Sequence, residues 1–225
     1  IRMGLDDLLS NLENLNYSCQ SFVIPAGAVG AAAVASLSTG FWRQTMFATT
    51  GGNYLVIANG ADSVRNYDGS SWSTPSITNV TSSNLISVAA HMARLWFIEK
   101  ESLKVWYLPA LAISGAATSI NFGGLCRRGG YLMAMASWTR DGGAGMDDHA
   151  VFITSQGEAL VYQGIDPASS DTWGLVGIFD IPRPIGRNCV VKVGADVAIL
   201  TIQGLLPLGS ILPISSSGQA NKAIT

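Results

Sequence analysis

A chain of 225 residues is long enough for one large domain with a substantial core, or for two small ones. It is 48% hydrophobic but only 12% charged, about half the ~25% usual in soluble domains, and it holds 25 glycines. That composition suits burial against other subunits better than life as an isolated enzyme. A net charge of −2 excludes a global basic field for nucleic acid.

The first twenty residues carry leucines at Leu5, Leu8, Leu9, Leu12 and Leu15. This spacing predicts a helix with one apolar stripe, with Asp6 and Asp7 favourably placed near its N-terminal end and the stripe packed on its own domain. Those acidic residues do not read as a secretory signal. The chain opens on Ile1 and closes on "ISSSGQANKAIT", so both ends read as cut. Two uncharged runs, Ser21–Trp42 and Val105–Cys126, are long enough to span a bilayer. Pro25, Pro109, Asn121 and several glycines, at Ala/Gly-level hydrophobicity, make both loop-and-strand material buried in protein.

Beyond the helix the pattern turns to β. Four stretches follow one plan: "YLVIANGADSVRNYDG" (Tyr54–Gly69), "RLWFIEKESLKVWYLP" (Arg94–Pro109), "AVFITSQGEALVYQG" (Ala150–Gly164) and "VAILTIQGLLPLGS" (Val197–Ser210). In each, a short apolar run meets a polar turn and a second apolar or alternating run follows, which is hairpin patterning. With Leu55, Leu95, Val151 and Ala198 as equivalent points the spacings are 40, 56 and 47 residues. Repeats of about 40–50 residues with several strands each predict β-propeller blades. "SWSTPSI" around Trp72, "YLMAMASW" (Tyr131–Trp138) and "TWGLVGIFDI" (Thr172–Ile181) supply further strands. Trp72, Trp106, Trp138 and Trp173 are read as inter-blade packing residues. The fold class is therefore all-β, a β-propeller-like set of antiparallel sheets with a short N-terminal helix; a β-sandwich is the alternative architecture. The segments are a helical 1–20, a propeller-like 21–211 and a tail or linker at 212–225.

The chemistry-bearing residues do not assemble in the sequence. "YDGSSW" (Tyr67–Trp72) lacks the Asp-x-Gly spacing of a sialidase Asp-box, and an Asp-Gly hairpin turn explains Asp68 and Gly69 better. "DGGAGMDD" (Asp141–Asp148) gathers three carboxylates that could meet a hard cation, but EF-hand spacing and a closing Glu are missing, so an acidic turn is expected. His91 and His149 are isolated. No serine sits in G-x-S-x-G, and "GGLCRRGG" and "ATTGG" lack a phosphate-loop context. Cys126 beside Arg127 and Arg128 is a nucleophile candidate without a placed histidine. Cys19, Cys126 and Cys189 form no CxxC pair, which leaves a disulfide framework and a zinc site unsupported. They are expected as buried free thiols of a reducing compartment. The basic spots "CRRGG" (Cys126–Gly130) and "RPIGR" (Arg183–Arg187) are expected to be solvated or ion-paired. In the hairpin of Ala150–Gly164, Ser155, Gln156 and Glu158 are assigned to turn chemistry. No catalytic, cofactor-binding or metal-binding residue is assigned, and no cofactor is expected.

Four runs taken together, "YLVIANGADSVRNYDGSSW", "RLWFIEKESLKVWYLPALAISGAAT", "RRGGYLMAMASWTRDGGAGMDDHAVFITSQGEALVYQGIDP" and "WGLVGIFDIPRPIGRNCVVKVGADVAILTIQGLLPLGS", resemble the tail nozzle (tail tubular protein B-like) proteins of short-tailed bacteriophages and prophages. The resemblance runs from about Ala26 to Ile211, while residues 1–20 do not resemble the family's usual lead-in. It implies a non-enzymatic virion protein, assembled in the host bacterial cytoplasm, that self-associates into a ring, six-fold by the resemblance. It further implies portal and adaptor proteins above, tail fibres or tip proteins as attachments, and transient passage of double-stranded DNA. No membrane-spanning segment is expected. The alternative function is a carbohydrate-binding or glycan-cleaving propeller module for receptor recognition.

Overall fold

The computed structural model describes residue 34 and residues 36–141, 146–194 and 196–211. The expected helix over 1–20 and the tail over 212–225 lie outside the described residues, as does Cys19.

Seventeen short strands follow one another in the described chain. Sheet 1 has the order β1 (Arg43–Thr49), β2 (Gly52–Ala58), β3 (Arg65–Tyr67) and β4 (Trp72–Ser73). After β5 (Ile77–Thr78), sheet 2 is built from β6 (Leu85–His91), β7 (Arg94–Glu99), β8 (Lys104–Tyr107) and β10 (Thr118–Asn121). Between these last two lies β9 (Gly115–Ala116), which pairs in parallel with β5 and laces sheets 1 and 2 together. Sheet 3 contains β11 (Leu132–Asp141), β12 (Met146–Thr154), β13 (Glu158–Gly164) and β14 (Trp173–Asp180). Sheet 4 has three strands, β15 (Val190–Val193), β16 (Asp196–Thr201) and β17 (Gly204–Pro207), followed by the one-turn helix α1 (Leu208–Ile211). The four antiparallel sheets are arranged like a four-bladed β-propeller, as the hairpin repeats predict.

The four hairpins occupy one structural position. Each is the second and third strand of its sheet: β2–β3, β7–β8, β12–β13 and β16–β17. The middle strands of sheets 2 and 3 are covered on both faces, so their apolar residues run consecutively instead of alternating, as in Leu95-Trp96-Phe97-Ile98 and Ala150-Val151-Phe152-Ile153. Adjacent residues then serve different seams. Leu95 and Phe97 face sheet 1, packing with Phe47, Val56 and Ala58. Trp96 and Ile98 face sheet 3, packing with Phe152, Leu160, Tyr162 and Trp173. Val151 and Ile153 join Val197, Ile199 and Cys189 between sheets 3 and 4.

This corrects the register of the repeat. Leu55 and Leu95 point back towards the preceding blade, whereas Val151 and Ala198 point forward. A slip of one residue exchanges the faces of a strand, so Phe152 and Ile199 are the true equivalents of Leu95. Of the four tryptophans, Trp138 fills the sheet 3–4 seam, Trp173 the sheet 2–3 seam, and Trp106 packs against the sheet 1–2 cluster. Trp72 belongs to none of the three buried clusters.

Among the described residues three seams have apolar cores and the fourth has none. The forward face of sheet 4 shows Val191, Val193 (56% exposed) and Leu200, and the back face of sheet 1 shows Met46 (65% exposed) beside Leu55, Tyr67 and Trp72. These two sheets are joined by Arg187, which donates to the carbonyls of Asn59 (2.7 Å) and Phe41 (2.8 Å) and lies over the Phe41 ring.

Candidate functional site

The most chemically dense part of the molecule is the end of sheet 3 where β12 turns into β13. Thr154 accepts the Glu158 amide on its hydroxyl at 2.9 Å, closing the turn around Gly157 at φ 84°. Glu158 is not a turn residue as expected: it opens β13 and is 1% exposed. Burial of a carboxylate demands donors. The amides of Arg127 and Arg128 supply them, at 2.9 Å to Oε1 and 3.2 Å to Oε2. The "CRRGG" segment is thus a backbone cradle for Glu158.

The two basic spots converge on this turn. Arg128 pairs with Asp180 at 3.3 Å and reaches the Gly157 carbonyl, and Arg183 donates to Gln156 Oε1 at 2.7 Å. Arg187 instead bonds backbone carbonyls, a partner type that charge counting does not suggest. Beside the turn lies a shallow cleft of about 520 Å³, with Tyr131, Met133, Gln156, Arg183, Ile185 and Ile202 among its walls. Its only described charge is Arg183, so the cleft offers one cation beside apolar surface. It holds no acid–base pair.

Cys126 sits in this cradle and is a poor nucleophile. Burial, followed by the neighbouring Glu158 carboxylate, pushes its thiol up to about 11. The adjacent arginines do not offset this, because Arg128 is turned towards Asp180 and the turn carbonyls. Cys189, buried between sheets 3 and 4, is also raised to about 11, chiefly by burial. Both are free thiols, as expected, but Cys189 alone of the two is fully buried and Cys126 is half-buried.

A second polar cluster closes the sheet 2–3 seam. His91, the last residue of β6, is 3% exposed and its Nδ1 lies 2.9 Å from Ser137 Oγ on β11. Asp148 lies opposite Thr139 in the β11–β12 ladder, on the face that carries Ser137. Residues 142–145 of the acidic stretch lie outside the described residues. Asp148 belongs to strand β12, so the stretch is not a turn along its whole length. Trp96 and Trp173 flank the His91 ring edge-on, and Trp96 donates Nε1–H to the His91 carbonyl at 3.3 Å. Burial lowers the His91 pKa to about 4, against a smaller upward pull from Asp148 and with a further lowering from His149. The imidazole is therefore neutral at pH 7 and too weak a base to deprotonate a serine efficiently. Ser137, His91 and Asp148 share their residue types with a hydrolase triad, but the serine is bonded to Nδ1 and the buried Nε2 has no hydrogen-bond partner among the described residues. The group is a polar seam between blades.

His149 is also buried, against the Trp138 ring at 5.7 Å. Among the described residues no three His, Cys, Asp or Glu side chains gather into a metal site, and no helix is long and apolar enough to cross a membrane. "YDGSSW" is the expected turn: Asp68 Oδ1 accepts the amides of Ser70 and Ser71 at 2.7 and 2.8 Å, which lowers its pKa. Sequence reasoning missed Ser137 and Trp96. The first has no distinctive spacing from His91, and the second was hidden inside an apolar run.

The fold and these clusters define a propeller-like β domain in which Glu158 and Asp68 hold turns and His91 and Ser137 meet in a seam between blades. No protein-family model matches the chain, and no curated protein matches it.

Proposed function

We propose that this chain is a structural subunit of a phage tail nozzle ring, continuing the DNA channel below the portal and adaptor and supporting tail attachments. The observation that carries the reading is the uneven sealing of the propeller. Three seams are filled by apolar clusters, while at the fourth the back face of sheet 1 and the forward face of sheet 4 keep Met46, Val191 and Val193 exposed. Exposed apolar sheet faces suit contact between subunits. The low charge of the chain agrees with a passage that DNA traverses without adhering. The ring, its six-fold order and its portal and fibre partners come from the sequence resemblance.

Electron microscopy of particles carrying this chain, tagged at the exposed Gly51–Gly52 turn, tests the reading. A ring of tagged density on the portal–tail axis is expected. A lone copy remote from that axis would sink it.

Glycan recognition is the second reading, and one place favours it. Tyr67 and Trp72, paired across β3 and β4, hold their rings 5.1 Å apart at 37° beside the polar Asp68 turn. Glycan-array binding that disappears in Trp72→Ala would favour this reading over the first.

A further inference from the structure

Sheet edges differ sharply in how they are protected. The outer strand of sheet 1 is two residues long, that of sheet 2 is the polar Thr118–Asn121, and β17 ends in Pro207. Short, polar or proline-bearing edges resist pairing with other chains. β14 has none of these defences. It is eight residues long and, among the described residues, pairs on one side only, with β13. Among the described residues no backbone group bonds to it from the far side. From Thr172 to Phe179 it carries no charge, and Leu175 and Val176 are each 40% exposed. A groove of about 430 Å³ runs along its first half, with Gln163, Asp171, Leu175 and Val176 among its walls. A register shift opposite Val161 and Tyr162 leaves Val176 as the extra residue, which bends the edge but does not cover it.

We propose that the free edge of β14 is a docking site for an extended strand of another protein, apolar in its centre and basic at both ends. Two observations choose this occupant. The unpaired backbone edge requires an extended partner, since only a strand presents donors and acceptors at matching intervals. The charges bias its ends: exposed Asp171 precedes the strand, and Asp180, which closes it, keeps its side chain 63% exposed beside its partner Arg128, so a Lys or Arg at either end of the incoming segment meets a carboxylate in either direction. The same acids disfavour a second copy. Antiparallel self-pairing would bring Asp171 of one copy near Asp180 of the other at both ends, a repulsion that Arg128 beside Asp180 reduces but does not turn into an attraction as strong as a basic end provides. The edge serves this role whether or not the chain forms a nozzle ring.

The test uses the full chain and a labelled peptide of alternating Thr and Val with Lys at both ends. Fluorescence anisotropy should show saturable binding, and amide hydrogen exchange should show new protection across 173–180. Affinity should fall at least about tenfold when alternate peptide amides are N-methylated, when the terminal lysines become Glu, and in Val176→Lys. Leu175→Lys is a second edge variant, and near-ultraviolet circular dichroism shows whether each variant is folded. Absence of binding, equal affinity for the N-methylated peptide, or binding without protection of 173–180 would overturn the proposal. Protection of 173–180 that grows with chain concentration and without peptide would overturn it in favour of a second copy.

Discussion

Arg187 and Asn59 are 128 residues apart in sequence, yet the guanidinium of one meets the backbone carbonyl of the other at 2.7 Å. With the companion bond to Phe41, this contact ties the link leading into sheet 4 to sheet 1, where among the described residues no apolar cluster does so. Arg43, at the start of β1, faces the same junction. Burial lowers its pKa, and Arg187 adds to that lowering.

Removing the fork should loosen this seam selectively. Arg187→Ala is expected to lower unfolding free energy by about 2 kcal/mol, the scale of charge-assisted hydrogen bonds at a partly exposed site. Arg187→Lys should recover less than half, because an ammonium cannot reach two carbonyls in the same planar geometry. Urea unfolding at pH 7 measures both. Wild-type stability in the alanine variant would show that the seam is held by something else.

Backbone conformation gives a pair of opposite outcomes. Gly157 has φ 84°, and a Cβ there would be driven into the Ile181 carbonyl. Gly157→Ala should cost about 3 kcal/mol, combining left-handed strain with a backbone clash. Met92 and Ala93, at φ 46° and 55°, form the two-residue β6–β7 turn without a glycine. Ala93→Gly should therefore stabilise by about 1 kcal/mol, because relief of strain exceeds the entropy added to the unfolded chain. Thermal melts that ranked the two variants the other way would contradict these turn assignments.

Stability should also report the neutral His91. Its folded pKa of about 4 lies below the unfolded value of 6.5. The unfolded chain therefore takes up the proton first as pH falls. The contribution is complete above about pH 6.5 and is lost progressively towards pH 4, with a limit of the order of 3 kcal/mol. His91→Gln removes this titration and can still meet Ser137. The difference in urea stability between wild type and variant should shrink between pH 7 and 4.5; a constant difference would place the histidine's proton elsewhere.

Thiol chemistry supplies a fourth check. In the native chain Cys126 and Cys189 should resist iodoacetamide at pH 7.5, since thiols with pKa near 11 hold almost no thiolate there. Site-resolved mass spectrometry should show both sites becoming reactive in urea. Rapid native labelling of Cys126 would revive it as a nucleophile.

The parts legible in the sequence were those written locally. A polar turn between two apolar runs exposed each central hairpin, and Asp68-Gly69 announced its own turn. The first strand, Arg43–Thr49, was missed because Arg43, Gln44, Thr45 and Thr49 interrupt its apolar residues and Phe47 is its one buried side chain. Consecutive apolar residues hid which face each served, which is why Val151 and Ala198 fell one residue out of step. The Arg187 fork was illegible for another reason. Its acceptors are backbone carbonyls, which any residue type could supply, so Phe41 and Asn59 carry no signal of it. The Glu158 cradle is similar, since amides of Arg127 and Arg128, not their charges, do the binding.

The route of the chain through the sheets has a kinetic meaning. Each sheet is assembled from strands close in sequence, so its pairings close short loops and form early. The Arg187 contacts instead close loops of 128 and 146 residues. They should be the last to form on folding and the first to open, so that the junction of sheets 4 and 1 is the place where local unfolding begins.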